Sequence, residues 1–215
     1  PAVQQQEGTT VSSVIGQVLS YDRRNNRQFP TDGYVIRLQN DLAGLGGDVK
    51  YLRTRFGGGY YQPITDGVVA SINAEVGYIF GFNQDVRITD AFFLGGPTLR
   101  GFEVAGVGPR DVSTPAGDSL GGNKYFSGSA ELLFPLGLPE EYQISGRIFS
   151  DFGTLYDTDA NGGIIRDSSS MRVSVGGGFT WVSQFGPLAV DLGWPVVKEP
   201  WDREELFRIS VGTRF

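Results

Sequence analysis

The 215-residue chain contains no cysteine and no histidine. Without cysteine there is no disulfide framework and no thiolate metal site. Without histidine the usual general base and the commonest metal ligand are missing, and no serine-based nucleophile site can be assembled around the hydroxyls that remain. Neither enzymatic bond chemistry nor a metal or cofactor is expected. Positive charge is in deficit, with 18 Lys and Arg against 24 Asp and Glu and a formal net charge of −6. No basic stripe exists to neutralise phosphates, so nucleic acid is not an expected partner. Long helical patterns are absent, and no run approaches the roughly 18 consecutive apolar residues of a transmembrane helix. That absence leaves a membrane open, because barrel strands alternate and give only a weak hydropathy signal. The chain starts at Pro1 with neither an initiator Met nor a signal peptide, as expected of a processed product or a piece of something longer.

What is abundant is glycine, 32 residues, and aromatic side chains, 13%. Residues 1–10 are polar and are expected to be disordered or the remnant of a linker. Alternating apolar and polar residues then predict nine strands, Val11–Tyr21, Tyr34–Ala43, Asp48–Pro63, Val68–Phe80, Lys124–Pro135, Tyr142–Tyr156, Met171–Val182, Leu188–Val197 and Leu206–Phe215. Many run near the length a tilted membrane strand needs, longer than the usual globular strand. The connections 62–67, 136–141 and 183–187 are short, whereas 81–123, 157–170 and 198–205 are long. Short turns on one side and long loops on the other are the arrangement of outer-membrane barrels, with the short side periplasmic. By parity 22–33 belongs to the short side despite its length, and 43–48 to the long side despite its brevity.

Charge placement is the sharpest physical test. In the sixth segment Gln143, Ser145, Arg147, Phe149 and Asp151 alternate with Tyr142, Ile144, Gly146, Ile148, Ser150 and Phe152. In the last, Arg208, Ser210, Gly212 and Arg214 alternate with Phe207, Ile209, Val211, Thr213 and Phe215. Arg37, Glu75, Glu131 and Asp191 likewise fall on the polar parity of their strands. A lipid-facing Arg near the bilayer midplane costs about 2–4 kcal/mol, which confinement of the charges to one face avoids. A soluble sandwich also alternates, but its apolar face is the inner one. Here the polar parity mixes charges with glycines, as a crowded wet lumen requires. The fold class predicted is all-β, an antiparallel transmembrane β-barrel occupying 11–215. Nine is an awkward count, since bacterial single-chain barrels usually have an even number and an open sheet leaves two bare edges in lipid. Either one segment is not a true strand, or the chain is part of a larger closed barrel.

Within the long connection lies Gly95-Gly96-Pro97-Thr98-Leu99-Arg100-Gly101-Phe102. An arginine set between a small-residue turn and an aromatic suits fixed contacts rather than a loose surface loop. Other segments stand in order around it: Tyr21-Asp22-Arg23-Arg24-Asn25 with Phe29-Pro30-Thr31-Asp32-Gly33-Tyr34, then Gly106-Val107-Gly108-Pro109-Arg110-Asp111, Gly121-Gly122-Asn123-Lys124, Asp151-Phe152-Gly153-Thr154 and Gly186-Pro187-Leu188. Together these resemble the Omp85 family of outer-membrane barrel-assembly insertases and translocators, over about Val14 to Phe215. The resemblance departs slightly at Asn25, which stands where the family usually has Asp.

The resemblance implies the last nine of about sixteen strands, with the loop 81–123 folded into the lumen. It implies a latch formed by Leu99, Arg100, Gly101 and Phe102, with Arg100 contacting Glu131 and Asp151 on the wall beside Phe149. A guanidinium bridging two carboxylates belongs to the strong, charge-assisted class of hydrogen bond. It also implies that Phe207, Ile209, Val211, Gly212 and Phe215 form a terminal β-signal and a weak seam, since glycine lowers strand stability. The implied setting is the outer membrane of a Gram-negative bacterium. The implied partners are the lipid bilayer, unfolded outer-membrane protein clients and accessory assembly lipoproteins. Missing N-terminal strands with periplasmic POTRA modules, or another copy of the chain, would complete the barrel. Polypeptide translocation and passive porin behaviour remain as alternative functions.

Three features outside the latch need a reading. Asp157-Thr158-Asp159-Ala160-Asn161-Gly162-Gly163-Ile164 opens like an EF-hand loop, yet Ser168 occupies the place of the bidentate Glu, so a solvated acidic loop is expected rather than calcium. Glu140-Glu141 and Asp202-Arg203-Glu204-Glu205 are expected to be solvated turn charges. Trp181, Trp194 and Trp201 are expected in interfacial girdles.

Overall fold

A computed structural model describes residues 2–4, 8–113, 117–183 and 186–211. Nine strands form one sheet: β1 (Ser12–Asp22), β2 (Gly33–Gly47), β3 (Tyr51–Thr65), β4 (Val68–Gly81), β5 (Lys124–Pro135), β6 (Ile144–Tyr156), β7 (Arg172–Ser183), β8 (Gly186–Val197) and β9 (Phe207–Val211). The order is that of the sequence and every pairing is antiparallel, so the sheet is a plain meander. Among the described residues neither β1 nor β9 pairs with a further strand. All nine predicted strands are present, with shifted ends. The third starts at Tyr51 rather than Asp48, because Gly46 and Gly47 turn the chain with φ of 129° and 86°. Asp48 instead exchanges hydrogen bonds with Val11, donating its N–H to the Val11 carbonyl at 2.7 Å. Gly212 and Phe215 lie outside the described residues.

Period-2 alternation sorts the side chains between two faces. Ile36, Phe56, Val76, Ile148, Val175, Phe179, Trp181, Leu192, Trp194, Ile209 and Val211 are all exposed, giving an apolar outer band suited to lipid. The other face carries Asp41, Arg147, Asp151, Arg172, Ser174 and Asp191, all buried. The polar face is therefore the covered one, the reverse of a soluble sandwich.

What covers it is the long loop 82–123. Leu94, Leu99, Phe102 and Val107 of the loop pack with Ala43, Tyr51, Ile79 and Leu155 of the wall in one buried cluster. Burying each large apolar side chain contributes about 1.5–3 kcal/mol. Short ladders bind the long loops to one another and fold the longest back on itself. Gly101–Phe102 pairs with Glu204–Glu205, and Arg110–Asp111 pairs with both Ile165–Arg166 and Asp118–Ser119. Ala2, in the segment expected to be loose, is buried beside Leu120 and Ala160, and its N–H donates to Asp111 at 3.3 Å.

Candidate functional site

The site is built on three rows of lumen-facing residues that strand register brings side by side. Ser129 of β5 stands opposite Asp151 of β6, which stands opposite Ser174 of β7. The next row runs Glu131, Phe149, Gly176, Gly193 across β5 to β8. The third runs Arg147, Gly178, Asp191, Arg208 across β6 to β9. A slip of one residue in any strand would move its charge into lipid.

The loop reaches this wall through a tight turn. The Gly96 N–H donates to the Phe102 carbonyl at 2.9 Å, and the Thr98 hydroxyl donates to the Gly95 carbonyl at 2.9 Å. The turn projects Arg100 onto the wall, where it is 1% exposed. Its Nε and Nη2 donate to the two carboxylate oxygens of Asp151, both at 2.7 Å, in the forked geometry that arginine favours. Its Nη1 donates to Glu131 at 2.7 Å, and Nη2 also donates to the Ser129 hydroxyl at 3.0 Å. The Arg100 backbone N–H donates to Asp151 at 3.0 Å. The guanidinium carbon stands 3.3 Å from the centre of the Phe149 ring, where the cation meets the negative face of the π-system. Glycines make the approach possible. Gly101 adopts φ of 90° and a β-carbon there would stand 3.1 Å from the Ser174 side chain. At Gly176 a β-carbon would stand 2.4 Å from the Phe149 ring.

The structure thus brings together Leu99, Arg100, Gly101, Phe102, Glu131, Phe149 and Asp151, with Leu99 and Phe102 fully buried behind the arginine. The terminal residues Phe207, Ile209 and Val211 lie apart, exposed on β9. Sequence reasoning missed Ser129 as a partner and missed a second arginine pair. Arg147 donates through Nε and Nη2 to Asp191 at 2.8 and 2.6 Å. It reaches across Gly178, where a β-carbon would stand 2.8 Å from the Asp191 carboxylate. The available signal was the run Gly176-Gly177-Gly178 on a strand lying between two charged ones.

Beyond the strand ends the loops are pinned by buried charge. Asp202, expected to be a solvated turn charge, is paired instead with Arg172 at 3.0 Å, both side chains fully buried. The cause is tertiary, since Arg172 also donates to the Ser168 and Ser170 carbonyls and so draws the two long loops over one cation. Glu204 pairs with Lys198 and Glu205 with Arg208. Trp201, expected in a girdle, lies in the connection between β8 and β9 with its indole N–H buried, whereas Trp181 and Trp194 are exposed on strands. In the acidic loop Asp159 accepts the Val86 N–H at 2.8 Å, and Asp167 accepts the N–H of Asp157 at 2.9 Å. No group of three acidic side chains placed to hold a metal occurs among the described residues. The Ser113 hydroxyl and N–H, with the amides of Ala2 and Ile164, hold the Asp111 carboxyl well below the usual carboxylate range.

A sheet that is apolar outside and charged inside, with its lumen face covered by a loop pinned through a buried arginine, defines the wall of a transmembrane β-barrel with an in-folded loop. The chain belongs to the Omp85 superfamily, whose domain matches residues 2–215. It is 36% identical over its whole length to "Outer membrane protein assembly factor BamA" of Neorickettsia risticii, covering 29% of that protein. It is 34% identical to a SAM50-like protein of Schizosaccharomyces pombe, over 63% of this chain and 29% of that one. The crystal structure of BamA from Haemophilus ducreyi lacking POTRA domains 1–3 superimposes with a TM-score of 0.80 at 25% identity, over 93% of this chain and 42% of that one. The chain therefore spans less than a third of the length of the curated relatives it matches.

Proposed function

We propose that the chain is the C-terminal barrel portion of an insertase that assembles β-barrel proteins in the outer membrane of a Gram-negative bacterium. The observation that carries this reading is Arg100, buried and clamped by Asp151 and Glu131 inside a sheet whose two edges are unpaired among the described residues. Preceding strands bring the barrel to about sixteen, the even count such barrels favour, and periplasmic POTRA modules deliver unfolded clients to it. The work makes and breaks no covalent bond. A weak seam at β9 offers an edge to which client strands add, using main-chain hydrogen bonds as the template. A locally thinned, mismatched bilayer lowers the barrier to their entry. The latch braces the wall while the seam opens, and accessory lipoproteins act from the periplasmic side.

The test is a chimera in which this chain replaces the matching strands of a full-length insertase, with the native copy depleted. Growth that is lost on Arg100→Ala supports the reading. A stably folded, membrane-embedded chimera that does not sustain growth overturns it and favours a polypeptide translocator of the same superfamily.

A further inference from the structure

Two guanidiniums and three carboxylates meet on the lumen wall, and their contacts cross. Glu131 lies 2.7 Å from Arg100 and 4.0 Å from Arg147. Asp191 lies 2.6 Å from Arg147 and 3.9 Å from Arg100. Each of these carboxylates thus has one close cation and a second within reach. The two arginines differ in origin, because Arg100 comes from the loop and Arg147 from the wall strand β6. Arg147 and Glu131 both belong to the wall, on the paired strands β6 and β5. A wall arginine so placed is a competitor for the carboxylate that the loop needs.

We infer that Asp191 is a positioning residue of the latch: it holds Arg147 in a two-point grip and thereby reserves Glu131 for Arg100. Three observations support this assignment. The Arg147–Asp191 contact is bidentate and both side chains are nearly inaccessible, so the guanidinium is fixed in direction as well as place. Gly178 stands between them in register, and a β-carbon there would press on the Asp191 carboxylate. Both arginines are nearly inaccessible, so solvent screens their mutual repulsion and their competition for a shared carboxylate less than it would at the surface. Removing the Asp191 charge frees Arg147 to swing the short distance to Glu131, which takes one of the loop's anchors.

The inference rests on Arg100 as a latch and not on insertase activity, so its test reads the loop directly. Amide hydrogen exchange is measured on the intact protein in liposomes for Asp191→Asn and for the double variant Asp191→Asn with Arg147→Met. Asp191→Asn is expected to raise exchange over residues 95–102 by roughly tenfold or more, the opening that follows loss of a charge-assisted hydrogen bond. Exchange in β6 and β8 rises less than in the loop. The double variant, with neither the competitor nor a stranded Asp191 charge left, returns the loop to within about twofold of the parent, since Glu131 is then uncontested. A double variant as loose as Asp191→Asn, or loosening spread equally through β6 and β8, overturns the inference and makes the pair a structural brace. Should Asp191→Asn fail to fold, the double variant decides, since it removes grip and competitor together, and loop exchange there more than about twofold above the parent overturns the proposal.

Discussion

A β-carbon built on Gly193 of β8 would stand 2.8 Å from the amide nitrogen of Gly101, and this contact sets how deeply the loop sits. The backbone carrying the latch lies on bare backbone of the wall, with no side chain from either residue between. Gly193→Ala should lift the loop and lengthen the Arg100 contacts. An overpacked contact of this kind costs about 1–3 kcal/mol. The expected result is a folded barrel with faster tryptic cleavage after Arg100. Cleavage at the parent rate would show that the loop has room to spare.

Arg100 is expected to tolerate no substitute. Arg100→Ala leaves Asp151 buried without its cation, a loss of about 3–5 kcal/mol. Arg100→Lys keeps charge but forfeits the fork, losing on the order of 1.5–3 kcal/mol. Both variants should lower heat stability, protease resistance and assembly activity, with Ala worse than Lys. Protease resistance and melting temperature equal to the parent's in Arg100→Ala would remove the bracing role from the latch.

The Arg172–Asp202 pair predicts a different pattern. Asp202→Asn strands a fully buried guanidinium, at a cost of about 3–5 kcal/mol. Replacing both partners with neutral residues of similar volume should cost less than either single change. Thermal melting of the two single variants and the double variant gives the coupling directly. Additive losses would mean that the pair does not act as a unit.

Asp111 predicts a pH dependence in the loops. Its carboxyl is held below its unfolded value of 3.8 by donated hydrogen bonds. A depressed pKa contributes stability above the unfolded value, and that contribution is lost as pH falls through the lower folded value. The melting temperature of the parent should therefore exceed that of Asp111→Asn by a constant margin from neutral pH down to about 4, the ordinary pKa of such a carboxyl. The margin should narrow below that point. A margin that widened on acidification would reverse the sign of the argument.

Much of the molecule is legible in the sequence. Period-2 alternation is a local property, so the strands, their membrane-scale lengths and the confinement of Arg37, Glu75, Glu131 and Asp191 to one face could be read from neighbouring residues alone. The contrast of short and long connections gave the two ends of the barrel. The partners of Arg100 were legible only because the run from Gly95 to Phe102 resembles a known family, not because spacing reveals them.

What tertiary structure alone decided are the pairings of residues far apart in the chain. Arg147 and Asp191, 44 positions apart, meet because two registers, β6 on β7 and β7 on β8, place them in one row with Gly178 between. Alternation says which face a charge occupies but not which charge stands beside it, since sliding a strand by two residues preserves the face and changes every neighbour. The burial of Asp202 and Ala2 has the same origin. Both lie outside the long wall strands, where no periodicity constrains the chain and packing of one loop on another settles exposure. The amino-acid pattern by itself determined a wall with a charged inner face. Register and loop packing determined which of those charges hold the loop.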